Sequence, residues 1–115
     1  MADEMHLQFR IRSQDPNTPT PVISGQIQGE VSHLRELLQQ KYAIEYLRID
    51  REATLPIDPS TIALGFVIAV SGGFASGIGK NISDDVYAWL KDKWVDLWAE
   101  EANLSILQKP KEPKP

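Results

Sequence analysis

The sequence predicts one α/β (α+β) domain: a small two- to three-stranded sheet covered on one face by helices, in the order β-α-β-α-α-β. Three observations predict it. Met5 to Arg12 alternates, with Leu7, Phe9 and Ile11 on one side and Gln8, Arg10 and Arg12 on the other. A period of two with one polar face is the pattern of a half-buried strand. Glu30 to Tyr42 carries Val31, Leu34, Leu37, Leu38 and Tyr42 along one helical face, behind the breaker Gly29. Ile44 to Arg51 partly alternates again. Strand, helix and strand within roughly 50 residues make a βαβ or split βαβ unit, which implies a parallel or mixed sheet.

The other elements follow in order. Asp15 to Pro21 places prolines at 16, 19 and 21, so it reads as a loop, and Val22 to Ile27 reads as a short edge strand. Asp58-Pro59 is a helix start signal, with a capping carboxylate before a proline suited to the first helical position. Ser83-Asp84-Asp85 is a second one, its acids placed where the helix dipole favours them. The helix it opens, through about Glu101, carries Val86, Trp89, Leu90, Trp94, Leu97 and Trp98 on helical spacing. Asn103 to Gln108 suggests a last short strand. Residues 1–108 therefore form the domain, and Lys109 to Pro115 reads as a disordered Pro/Lys tail.

Composition narrows the function. A chain of 115 residues is long enough for one domain and too short for two. It has no cysteine, which excludes disulfides, Cys-based zinc sites and thiol nucleophiles. A net charge of −4 argues against general affinity for nucleic acid. The acidic start Met1-Ala2-Asp3-Glu4-Met5-His6 does not read as a signal peptide, which makes the cytoplasm the default expectation.

Ser60 to Gly79 runs twenty residues without a charge. Within it Gly65, Ala69, Gly73 and Gly77 recur every four residues, a stripe of small residues along one face of a helix. The favoured reading is a buried, closely packed helix whose stripe doubles as a partner or oligomer surface. A membrane anchor is a second reading, set against the glycines and serines and the lack of flanking basic clusters. A phosphate loop is a third: Phe66 to Val70 as a strand running into a Gly-rich turn, with Lys80 and a helix beyond. Its spacing fails, because Phe74 stands where that loop needs glycine and Asn81 where it needs Ser or Thr.

In layout the chain resembles the effector-associated constant component family, accessory proteins encoded beside effectors in bacterial conflict systems. The resemblance is carried by the apolar Ala/Gly-rich helix closing on Ser71-Gly72-Gly73, the Trp89-Leu90-Lys91 helix and the short final strand. It implies a non-enzymatic adaptor with no catalytic residue, and the residues themselves lead to the expectation of no cofactor and no metal.

The chemistry-bearing residues agree. His6 and His33 are the only histidines and make a poor metal site without cysteine. Asp84 and Asp85 are adjacent, so on a helix they cannot face each other as an acid/base pair. Trp94 and Trp98 share a helix face, with Trp89 well around from them, and one of those faces suits an interface. Arg10, Arg12, Arg48 and Arg51 gather on one sheet face, where Glu45, Asp50 and Glu52 make it salt-bridged rather than an anion patch. The expected partner is a protein or a second copy of the chain, through Gly65, Ala69, Gly73, Gly77, Trp89, Trp94 and Trp98.

Overall fold

A computed structural model describes residues 3–54, 60–72 and 77–107. Its elements are β1 (Asp3–Ser13), α1 (Thr20–Gly29), α2 (Val31–Gln39), β2 (Ile44–Thr54), β3 (Thr61–Val70), α3 (Ile78–Lys93) and β4 (Leu97–Leu107). The strands form a four-stranded sheet in the order β2-β3-β1-β4, and every neighbouring pair is antiparallel. β1 and β2 run parallel to each other with β3 inserted between them, the split βαβ arrangement of ferredoxin-like folds. The class is therefore α+β, with four strands rather than two or three, in the order β-α-α-β-β-α-β rather than β-α-β-α-α-β. No parallel pair forms, because β3 occupies the gap that an unsplit βαβ unit would close.

β1 begins as the alternation predicts. Met5, Leu7, Phe9 and Ile11 are all at most 1% exposed and point to the helices, each burial being worth about 1.5–3 kcal/mol. Phe9 sits at the centre, edge-on to Phe66 and stacked on Tyr87, both at 6.3 Å between centroids.

The Pro-rich stretch behaves differently from expectation. α1 starts at Thr20, so Val22 to Ile27 is helix and not an edge strand. Pro19 precedes the helix in extended backbone and Pro21 lies in its first turn, where a missing N–H breaks no helical bond. The loop before it is a turn closed on Asp15, which accepts from the Asn17 amide (2.9 Å) and the Thr18 hydroxyl (3.0 Å). Buried Thr20 then ties three elements together: its hydroxyl accepts from Ser13 N–H (2.9 Å) and donates to the Ser60 carbonyl (2.6 Å). Glu30 separates α1 from α2, whose Leu34 and Leu38 enter the core.

The uncharged segment is the main correction. Thr61–Val70 is the inner strand β3, not a helix. Ile62, Leu64, Phe66, Ile68 and Val70 join the core under the helices, and the residues between them face the other way. Gly65 and Ala69 thus share a strand face, Gly77 precedes α3, and Gly73 lies outside the described residues. No helix among the described residues is long and apolar enough to cross a membrane. The strand and helix that the phosphate-loop reading required are both present, flanking residues 73–76, which are not described. The Asp58-Pro59 start signal and the tail 109–115 also lie outside the described residues.

α3 starts five residues before Ser83, at Ile78, and ends at Lys93, so β4 takes Leu97 to Leu107. Ser83 is buried in mid-helix and donates to Glu101, and Asp84 pairs with Lys80 one turn back (3.3 Å). Asp85 accepts from the Tyr42 hydroxyl (2.7 Å) and from Lys41 (3.3 Å), fastening α3 to the end of α2. Burial first, and the Asp85 carboxylate second, push the Tyr42 phenol up to about 12.

This geometry yields three predictions. Gly77 has φ +86° in the left-handed region. Gly77→Ala should therefore lower the urea midpoint, costing about 1–2 kcal/mol. Gly25 lies inside α1 with open space around its missing Cβ, so Gly25→Ala should raise stability by up to about 1 kcal/mol. A rise for Gly77→Ala would mean that α3 does not start this way. Tyr42 gives a pH dependence. An unfolded tyrosine ionises near pH 10, so the native preference for the phenol is complete below that pH. It is lost as the pH rises from there towards about 12. Tyr42→Phe should flatten the alkaline fall in stability over that window, and an unchanged slope would refute the assignment.

Candidate interaction face

The helices lie on one side of the sheet: α1 over β1 and β3, α2 over β2, and α3 over β4. The other side carries no covering layer among the described residues. Strand alternation and register lay it out in rows. Tyr46, Ala69 and Glu4 share the first row; Arg48, Val67, His6 and Ser105 the second. Gly65, Gln8 and Asn103 make the third; Ala63, Arg10 and Glu100 the fourth; Thr61, Arg12 and Trp98 the fifth.

Side chains roof this face in place of helices. The Tyr46 hydroxyl reaches across β3 and donates to the Glu4 carboxylate, directly over Ala69. His6 Nε2 stands 3.5 Å from Glu4 Oε1 and is buried without a hydrogen bond. The Arg48 guanidinium lies over the Tyr46 ring (5.4 Å to the centroid) and 3.9 Å from Asp50. Arg10 pairs with Glu100 at 3.7 Å, and Arg12 stacks on Trp98 at 4.9 Å. Under this roof Ala63, Val67 and Ala69 are buried. Gly65, in the third row, is the one residue of β3 that is not. Above it lies a cavity of about 260 Å³ bounded by His6, Gln8, Asp50, Val67 and Asn103.

Arg10, Arg12 and Arg48 gather on one face as the sequence implies, and Asp50 pairs there with Arg48. Glu52, however, bonds Ser24 and Gln28 on the helical side, and Glu100 takes Arg10 instead; the Arg51 side chain is not described. The tryptophans group otherwise than expected. Trp98 belongs to β4 and to the helix-free face, because the helix ends before it. Trp89 and Trp94 instead meet edge to face, with centroids 5.1 Å apart. Lys93 lies about 6 Å from both rings (5.8 and 6.0 Å), pairs with Glu30 and stands 3.2 Å from His33 Nδ1. That bond and the Lys93 charge hold the Glu30 carboxyl below its ordinary range. The Trp94 indole donates to Gln26 (2.9 Å). This cluster fastens the end of α3 to the α1–α2 junction, which is a structural role.

The proposed surface residues thus divide. Gly65, Ala69 and Trp98 lie on the helix-free face, Trp89 and Trp94 pack on the helical side, and Gly77 starts α3. Tyr46, Gln8 and Asn103 complete that face beside Arg48; none of the three is marked in the sequence as a site residue, and strand alternation is the signal that points to them. Among the described residues no group of three or more His, Asp or Glu side chains is placed to hold a metal ion.

No family model, no curated protein and no solved structure matches the chain.

The Tyr46–Glu4 bridge is testable in a double-mutant cycle. Tyr46→Phe should destabilise the fold by about 1 kcal/mol, as expected for one hydrogen bond to a partly exposed carboxylate. Combined with Glu4→Ala, which leaves no acceptor for the hydroxyl, the effects should fall short of additive by about 0.5 kcal/mol or more. Strict additivity in urea denaturation would mean that the two groups do not meet.

Proposed function

We propose that the protein is a non-enzymatic interaction module that takes a protein partner, or a second copy of itself, on the helix-free face of its sheet. The observation that carries this reading is the make-up of that face. Tyr46, Trp98, Arg10, Arg12 and Arg48 stand on it, and among the described residues it presents no lysine. Interfaces enrich Tyr, Trp and Arg and deplete Lys, because rigid planar groups contribute contact area at little entropic cost. The Arg–aromatic stacks hold those groups in fixed orientations before any partner arrives.

The resemblance to the effector-associated constant components supports an adaptor role in a cytoplasmic bacterial conflict or signalling system. Of the elements that carry it, Trp89-Leu90-Lys91 lies in α3, whereas the Ala/Gly-rich stretch falls on β3.

Site-specific photo-cross-linking in the native cell tests the reading. A photoreactive residue at Arg10 or Glu100 should yield discrete adducts, with a dimer of the chain counted among them. The same residue at Glu36 or Lys80, on the helical side, should not. Trp98→Ala with Arg12→Ala should cut the yield several-fold. Adducts from the helical positions alone would overturn the proposal.

A further inference from the structure

One row of the helix-free face departs from regular sheet geometry on every strand next to it. β3 carries glycine there, although glycine is among the poorest strand formers. Gly65 is not among the described glycines with positive φ, so its backbone does not demand the residue. β4 shifts register against β1 immediately beside Gln8 and Asn103, and β2 shifts against β3 between Ile49 and Arg51, at Asp50. A bulge re-aims side chains, and a glycine within a strand marks a place where another group comes close to the backbone. All three departures border the cavity above Gly65.

We propose that this cavity is a binding subsite for a planar carboxamide-bearing group, the size of one ring or one side chain. The Gln8 and Asn103 amides stand side by side across β1 and β4, and neither makes a side-chain hydrogen bond to another described residue. Each offers a donor and an acceptor, the complement of a carboxamide. Asp50 adds an acceptor on the opposite wall, and Gly65 leaves a flat backbone floor for a planar group. Among the described residues no lysine or arginine lines the cavity, and the carboxylate of its wall, Asp50, already stands 3.9 Å from Arg48, so the lining itself supplies no fixed cation for a phosphate or carboxylate. At about 260 Å³ the space lies below that of drug-sized pockets, which start near 300 Å³. The subsite deepens the interaction reading, since it rests on the same face as the working surface.

Nuclear magnetic resonance titration tests it with two probes and a control. Nicotinamide represents a free ring, and N-acetyl-glutamine N-methylamide represents a partner's side chain. Nicotinate is the anion of matching shape. The carboxamides should move the Gln8 and Asn103 side-chain amides and the Gly65 backbone amide, and the tighter binder names the source. Nicotinate should move them far less. Gly65→Val fills the floor with a good strand former, so it should raise the urea midpoint while abolishing the shifts. Should that variant not fold, Gln8→Leu removes one amide and should weaken binding about tenfold, the value of one well-made hydrogen bond. Absence of shifts with both carboxamides, equal shifts with nicotinate, or shifts that survive both substitutions would overturn the proposal. Cross-links lost while the shifts persist would sink the interaction reading alone. Cross-links kept without shifts would sink the subsite alone.

Discussion

The structure turns on one constraint: β3 must bury both of its faces although helices cover only one. Like β1, it lies inside the sheet with a neighbour on either side, β1 and β2. Below it, Ile62, Leu64, Phe66, Ile68 and Val70 meet the helices in the ordinary way. Above it no layer exists among the described residues, and apolar side chains of that size would lie open to water. The chain places small residues there instead, and covers them with long side chains from the flanking strands. Tyr46 bridging to Glu4 over Ala69 is the clearest case. A second layer is thereby replaced by a roof one side chain thick.

The helical side obeys a different rule. Its polar groups reach inward to fasten helices to sheet and to one another. Ser24 and Gln28 of α1 bond Glu52 of β2, Ser83 of α3 bonds Glu101 of β4, and Tyr42 at the end of α2 bonds Asp85 of α3. These contacts fix the positions of helices whose apolar faces alone would allow sliding. The Trp89–Trp94–Lys93 cluster does the same at the far end of α3, joined to Glu30 and Gln26. Two of the three tryptophans therefore serve the frame, and Trp98 alone remains for the outer surface.

Much of this was legible in the residues. Polar alternation in β1 identifies its core face, and the helical spacing of Leu34 and Leu38 identifies α2. The convergence of arginines on one sheet face is equally readable. β3 was not, and the reason is physical. A repeat of small residues every four positions fits a helix turn, but four is also twice the strand period. Gly65 and Ala69 share a face in either case. What separates the two readings is size: from Ile62 to Val70 large residues alternate with small ones, apart from Val67. Alternation in size rather than polarity marks a strand buried on both sides, and no polarity-based pattern detects it. The prolines misled in the opposite sense. Pro19 and Pro21 forbid a helix interior but suit a helix start, and the difference depends on where the first helical bond falls. Extending the Trp89 helix to Trp98 failed for a related reason, since a continuous apolar periodicity carries no stop signal when a strand of similar hydrophobicity follows within three residues.

The roof also explains why the helix-free face is uneven. A side chain can cover a neighbour only if it spans from its own strand to the next, and each row solves this with different residues. Where Tyr46 meets Glu4 the cover is complete, and Arg10 and Arg12 lean towards Glu100 and Trp98 on β4. In the row of Gly65 the bulges change the spacing on both sides at once. The Gln8, Asn103 and Asp50 side chains line the walls of the gap. Glycine leaves nothing beneath them that needs cover, so an opening there exposes backbone rather than an apolar side chain. Elsewhere along β3 an opening of the same size would expose Ala63, Val67 or Ala69. The gap above Gly65 therefore falls at the row where an opening uncovers the least apolar surface.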